Sequence, residues 1–300
     1  MITIGSLSLQ HPLFLSAGCA KYPADARAIL ASPSAAVVVG SVSTRPYGED
    51  VGDTLWCDGA RSVTAFGYPN PGMDAWEPEL RPLAAAARQA GKPLIVNVAG
   101  TDAADYLDLA ERAFGAGADA VELNLAWPAL MNQRGTSKYA FADDPDAVAG
   151  LLRQAAARLS GRRGDLWLKF PPLQPTILER MADAICAVER APVTAVVCCG
   201  PYPKTLFLDE ANDSVLGTLS FGQVGGDFLR PIALGQVRQF RAFLPPRVAL
   251  VGVGGVSIRA HVEQFLAMGA SAVGLTTAYK IGGAEIFSYL FPAEDAAAVQ

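Results

Sequence analysis

The chain has 300 residues, 51% hydrophobic and 18% charged, with a formal net charge of −5; that balance predicts a globular protein with a large core. It has no basic run to attract nucleic acid and no segment long and apolar enough to span a bilayer, so a small-molecule substrate is the expected partner. Cys19, Cys57, Cys186, Cys198 and Cys199 form an odd set without metal-ligand spacing, which reads as reduced thiols in a reducing compartment, with no bound metal. No Lys or Arg precedes Lys21, so the charged start of a secretory leader is missing and a cytosolic location is expected.

Short apolar runs recur in chain order at Pro12–Ala17, Ala35–Val42, Pro93–Ala99, Ala120–Leu125, Leu166–Phe170, Thr194–Cys199, Val248–Val253 and Ala272–Thr276. Between most of them lie segments with apolar residues at helical spacing, among them Ala103–Phe114, Asp146–Leu159, Ile177–Glu189, Ala233–Phe243 and Ala260–Met268. Roughly eight strands alternating with helices predict an α/β fold, a (β/α)₈ TIM barrel forming one domain over residues 1–300. The near-continuous apolar runs suit a parallel sheet covered on both faces. An open doubly wound sheet is the alternative, but no G-x-G-x-x-G follows the first run. Gly115–Asp119 and Gly269–Ser271 read as helix stops at the end of the barrel opposite the active site. Three long connections, Ser43–Trp76, Trp127–Asp144 and Gly200–Arg230, leave the C-terminal ends of strands, where a barrel keeps its site.

Several positions break the expected strand chemistry. Asn124 puts an amide among Val121, Leu123 and Leu125; it is either satisfied by backbone groups or belongs to a site. Lys169, inside Leu166–Phe170, either points to solvent or carries a charge inward toward an anion. Gly254-Gly255 after the seventh run and Thr276-Thr277 after the eighth fall where such barrels bind phosphate through backbone N–H groups. Gly225-Gly226, ahead of a helix at Pro231, would add further amides.

Together these segments resemble the dihydroorotate dehydrogenase family over nearly the whole chain. The matching signatures are Ser16-Ala17-Gly18, Phe66–Gly72, Asn97–Gly100, Glu122–Leu125, Leu168–Pro172, Gly225-Gly226 before Arg230-Pro231, and Gly252–Val256. The resemblance implies FMN across the barrel mouth, in contact with Ala17, Gly18, Asn97, Asn124 and Lys169, its phosphate on Gly225, Gly226, Gly254, Gly255, Thr276 and Thr277. Lys169 would stabilise anionic reduced flavin, and Asn70, Asn124 and Thr64 would contact substrate. The chain looks like the soluble class, whose members are homodimers or pair with a second electron-transfer subunit.

The chain departs from the family at the catalytic loop. The Cys or Ser that serves as general base is matched by Trp127, and the Asn after its proline by Ala129. An indole carries no base; it either stacks on a substrate or plugs the pocket. The replacement candidates are Cys199 (with Cys198), Tyr139, Lys138, Tyr68 and Tyr202, each of which could equally be a packing or surface residue. His11 and His261 are poor catalytic candidates by position. The expectation is an FMN oxidoreductase that moves hydride between flavin and a C–C bond beside a carbonyl, on a substrate other than dihydroorotate. The alternatives are a dihydroorotate dehydrogenase with an unusual base, a non-catalytic flavin-binding homologue, or a barrel isomerase or lyase.

Overall fold

The computed structural model describes residues 1–290 except 50–53, 60, 66, 127, 128, 132–136, 189, 191, 192 and 220. Each of the eight expected runs forms a strand: β1 (Leu13–Leu15), β2 (Val37–Val42), β3 (Leu94–Val98), β4 (Ala120–Asn124), β5 (Asp165–Phe170), β6 (Val193–Cys198), β7 (Ala249–Val253) and β8 (Ala272–Leu275). Their order in the sheet is β1-β8-β7-β6-β5-β4-β3-β2, every pairing parallel. The edges meet where Ala35 N donates to Leu13 O (3.0 Å) and Gly18 N to Gly40 O (2.9 Å), closing the barrel.

Seven helices follow the first seven strands: α1 (Pro23–Ala31), α2 (Met73–Gln89), α3 (Ala103–Gly115), α4 (Pro145–Arg158), α5 (Pro175–Cys186), α6 (Arg230–Phe243) and α7 (Arg259–Ala267). Asp102 caps α3 by accepting from Asp105 N, and Asp144 caps α4, with Pro145 preset for the first turn. After β8 come the short helices Thr277–Gly282 and Glu285–Leu290. Gly117 and Gly269 turn the chain after α3 and α7 at positive φ, as the sequence predicts.

The strands are apolar on both faces because alternate residues enter two cores. Leu94, Val96, Val121, Leu123, Leu166 and Leu168 pack under the helices. Phe14, Val38, Ile95, Ala120, Trp167, Ala195 and Val251 fill the barrel interior, where small alanines make room for the Trp167 indole beside Phe14. An N-terminal hairpin, Ile2–Ile4 with Leu7–Leu9, closes the bottom: Ile4, Leu7 and Leu9 are buried in that interior cluster. Asp165 at the foot of β5 accepts from Ser6 N and Ser6 Oγ, both at 2.8 Å.

The long connections are more ordered than loops. Leu55–Asp58, Arg61–Thr64, Gly222–Gly226 and Tyr202–Thr205 form a four-stranded antiparallel sheet, in which the second connection pairs with the sixth. Tyr47–Glu49 pairs with Gly67–Asn70, and Ala129–Met131 with Ser137–Tyr139. The first of these connections ends at Met73 rather than Trp76, because α2 begins there and buries the Trp76 ring in its first turn. Among the described residues, no helix is long and apolar enough to cross a membrane, and no group of side chains could hold a metal.

Candidate active site

A cavity of about 460 Å³ opens between the C-terminal ends of the strands and the antiparallel sheet. Its floor answers which way Lys169 points. Residue parity on β5 puts Lys169 on the same face as Trp167, inside the barrel, and its Nζ lies 3.6 Å from Glu122 Oε1. Both side chains are buried, 9% and 2% exposed, so each charge offsets the desolvation of the other. Glu122 Oε1 also accepts from Asn97 Nδ2 at 2.5 Å. Sequence reasoning passed over Glu122, although its spacing of two from Asn124 places both on the inner face of β4.

Beside Lys169 in the strand register lies Asn124. Its Nδ2 donates to Tyr68 OH (2.5 Å) and Ser41 Oγ (3.1 Å), and its Oδ1 accepts from Ala126 N (3.3 Å). Tyr106, from α3, donates its hydroxyl to Asn124 O at 2.5 Å, fixing the strand end. Burial pushes both phenols well up from the ordinary tyrosine value; Ser41 and Asn124 partly oppose this at Tyr68.

At the opposite end, Gly225, Gly226, Gly254, Gly255, Thr276 and Thr277 converge on one wall, as the sequence predicts. Gly254 and Gly255 hold φ of +125° and +74°, and a Cβ on Gly255 would lie 2.7 Å from Gly226 O. Ser16 Oγ bonds Thr276 Oγ1 (2.6 Å) and Ser62 Oγ bonds Thr277 Oγ1 (3.0 Å), so the hydroxyls are held in place. The closeness of these backbones leaves a shallow cradle of amides and hydroxyls suited to an anion.

Ala17, Gly18, Thr64, Tyr139 and Cys199 also line the cavity. Four lysines, Lys21, Lys169, Lys204 and Lys280, reach it, and among the described residues no carboxylate does. In a chain of net charge −5 that concentration of positive charge selects anions. Burial lowers the Lys280 pKa.

The structure corrects three expectations. Asn97 does not reach the cavity wall: its amide turns to Glu122 and its Oδ1 is buried without a partner. Asn70 is 1% exposed and holds its own loop, Oδ1 accepting from Ser43 N, Ser43 Oγ and Gly72 N. Cys199 is the thiol that faces the mouth, but burial raises its pKa to about 12, despite Lys169, so it is no thiolate base. Tyr139 stays on the cavity wall as an acid candidate: burial raises it to about 12, with Asp143 and Tyr202 adding to it, so its phenol keeps its proton. Trp127 and the Lys138 side chain lie outside the described residues. Neither histidine lines the cavity; His11 bonds Pro33 O, and His261 packs against Arg230 and Ser257.

The dihydroorotate dehydrogenase family model matches residues 1–291. The chain belongs to the dihydroorotate dehydrogenase family. It is 30% identical over 274 residues to the dihydroorotate dehydrogenase B (NAD(+)) catalytic subunit of Methanopyrus kandleri, spanning 89% of this chain and 81% of that one. It is 27% identical to dihydroorotate dehydrogenase A (fumarate) of Lactococcus lactis, over 75% and 70% of the two chains. The structure of a dihydroorotate dehydrogenase from Eimeria tenella, solved with ferulenol, matches the fold with a TM-score of 0.79. That match covers 96% of this chain and 81% of the other at 18% identity. Membership in the dihydroorotate dehydrogenase family makes this an oxidoreductase of the CH–CH type with FMN as its cofactor. The cavity fits that group, with Gly254 and Gly255 packed too closely on Leu229, Ala233, Arg230 and Gly226 to carry a Cβ at one end and a buried lysine at the other.

Proposed function

We propose that this member of the dihydroorotate dehydrogenase family moves hydride between FMN and a C–C bond next to a carbonyl, on a substrate other than dihydroorotate. FMN, when bound, supplies the two-electron carrier. Gly225, Gly226, Gly254, Gly255, Thr276 and Thr277 would hold its phosphate, with Ala17, Gly18, Asn124 and Lys169 along the ring. Lys169 would set a positive charge beside the reduced, anionic ring, and Glu122 holds that lysine in place.

The observation that carries the substrate clause is the fate of the amides. Asn70 and Asn97 are engaged within the protein, so a ring bearing amides finds few side-chain amides to pair with it. A site missing several such bonds loses selectivity by large factors, and a missing base costs about 10²–10⁴ in rate. The protein should therefore purify with FMN, be photoreduced, and be reoxidised by an activated alkene. Dihydroorotate turnover should be negligible and should rise in Trp127→Cys. Protein that takes up no FMN sinks the whole reading; fast native turnover of dihydroorotate sinks the substrate clause alone. In that case the second reading holds, dihydroorotate oxidation with an unusual base, which the names of the relatives favour.

We further propose a cytosolic homodimer or a complex with an electron-transfer subunit. Support for the subunit comes from relatives named as NAD(+)-linked catalytic subunits.

A further inference from the structure

We propose that Tyr68 is the proton-transfer residue of this site, donating from its phenol to one carbon of an α,β-unsaturated carbonyl compound while hydride from reduced FMN reaches the other. The inference rests on the flavin reading above. Tyr68 lines the cavity, and its oxygen accepts from Asn124 Nδ2 at 2.5 Å, one strand from Lys169. The Ser41 hydroxyl is a second hydrogen-bond partner of the phenol.

Asn70, which does not reach the cavity, positions this group instead. Its Nδ2 donates to Tyr68 O at 2.9 Å, while its Oδ1 is locked to Ser43 and Gly72. Tyr106 fixes Asn124 from the other side through its backbone oxygen. Phenol and partner are thus held before substrate arrives, which is what efficient proton transfer needs. Because burial raises its pKa, Tyr68 keeps its proton at neutral pH, the form that can donate to carbon. The phenolate left behind meets the Asn124 N–H.

The balance closes. The C=C π bond breaks, hydride forms one new C–H bond, and the electron pair passes through the enolate to the α-carbon. The α-carbon takes the Tyr68 proton, and water at the mouth restores the phenol. The alkene is reduced and FMN oxidised.

The test compares wild type with Tyr68→Phe, each FMN-loaded, photoreduced without oxygen and mixed with 2-cyclohexen-1-one while flavin absorbance is followed. Tyr68→Phe should fold and bind FMN, with some loss in melting temperature from the lost Asn124 bond, yet be reoxidised by the enone about 10²–10³-fold more slowly. Reoxidation by benzoquinone, which takes its protons on oxygen, should be unchanged. In flavin-free protein, alkaline absorbance titrations of the two should coincide through about pH 10, where exposed tyrosines ionise. Equal enone rates in the two proteins, or a Tyr68 phenol that ionises with the exposed ones, overturn the assignment. A wild-type flavin that no enone reoxidises overturns the proposed function itself.

Discussion

Lys169 and Glu122 face each other inside a barrel whose other interior side chains are mostly apolar, so neither charge can be removed alone. Lys169→Met leaves a carboxylate buried without its cation and should cost about 3–5 kcal/mol of stability. Denaturant unfolding of the flavin-free protein measures it, and adding Glu122→Gln should recover most of the loss. A single variant within about 1 kcal/mol of wild type would show that the pair is not structurally coupled. The lysine itself was legible in the sequence, its direction was not. A strand apolar on both faces shows no alternation, so parity came only from the neighbours, Trp167 inside and Leu168 outside. Asn70 misled for a related reason. An amide announces that it hydrogen-bonds, but Ser43 and Gly72 claim it through a turn that sequence spacing does not reveal.

Among elements, the barrel strands were the most readable, since continuous apolar runs of the right length recur eight times. The strands over the mouth were hidden. They are three to five residues long, rich in Gly and polar residues, and their partners are distant: Gly222–Gly226 pairs with Arg61–Thr64. The glycine wall of the cavity was legible because a backbone that holds positive φ at close quarters asks for glycine. Gly255→Ala meets Gly226 O and Arg230 Cβ at 2.7 Å, from a φ of +74°. It should weaken FMN binding by about 5- to 150-fold, the equivalent of roughly 1–3 kcal/mol of backbone strain. Fluorescence titration of flavin-free protein with FMN decides this, and unchanged affinity would place the phosphate elsewhere.

For the whole molecule, burial of acidic groups that stay protonated sets the response to alkali. Cys19 is raised to about 11, and Cys199 and Tyr139 to about 12, in each case mainly by burial. Unfolded, thiols lose their protons near about 8.5 and phenols near about 10. Above those values the unfolded chain binds fewer protons than the native one, so stability falls as pH rises. The contribution is intact below about pH 8.5 and declines progressively toward pH 11–12. Urea midpoints measured from pH 7 upward should be level at first and then drop. A midpoint that stays level to pH 11 would mean that these groups ionise within the fold.

The hairpin that closes the bottom has a consequence for biosynthesis. Ile4, Leu7 and Leu9 enter the interior cluster, and Ser6 is held by Asp165, 159 residues further along. A ribosome adding about 5–20 residues per second needs some 8–30 s to make that distance. Until β5 emerges, those apolar side chains lack Trp167 and the later part of their native cover, and the hairpin lacks its Asp165 tie. Nascent chains stalled before Asp165 should therefore recruit chaperones at their first ten residues, and chains stalled well beyond it should not.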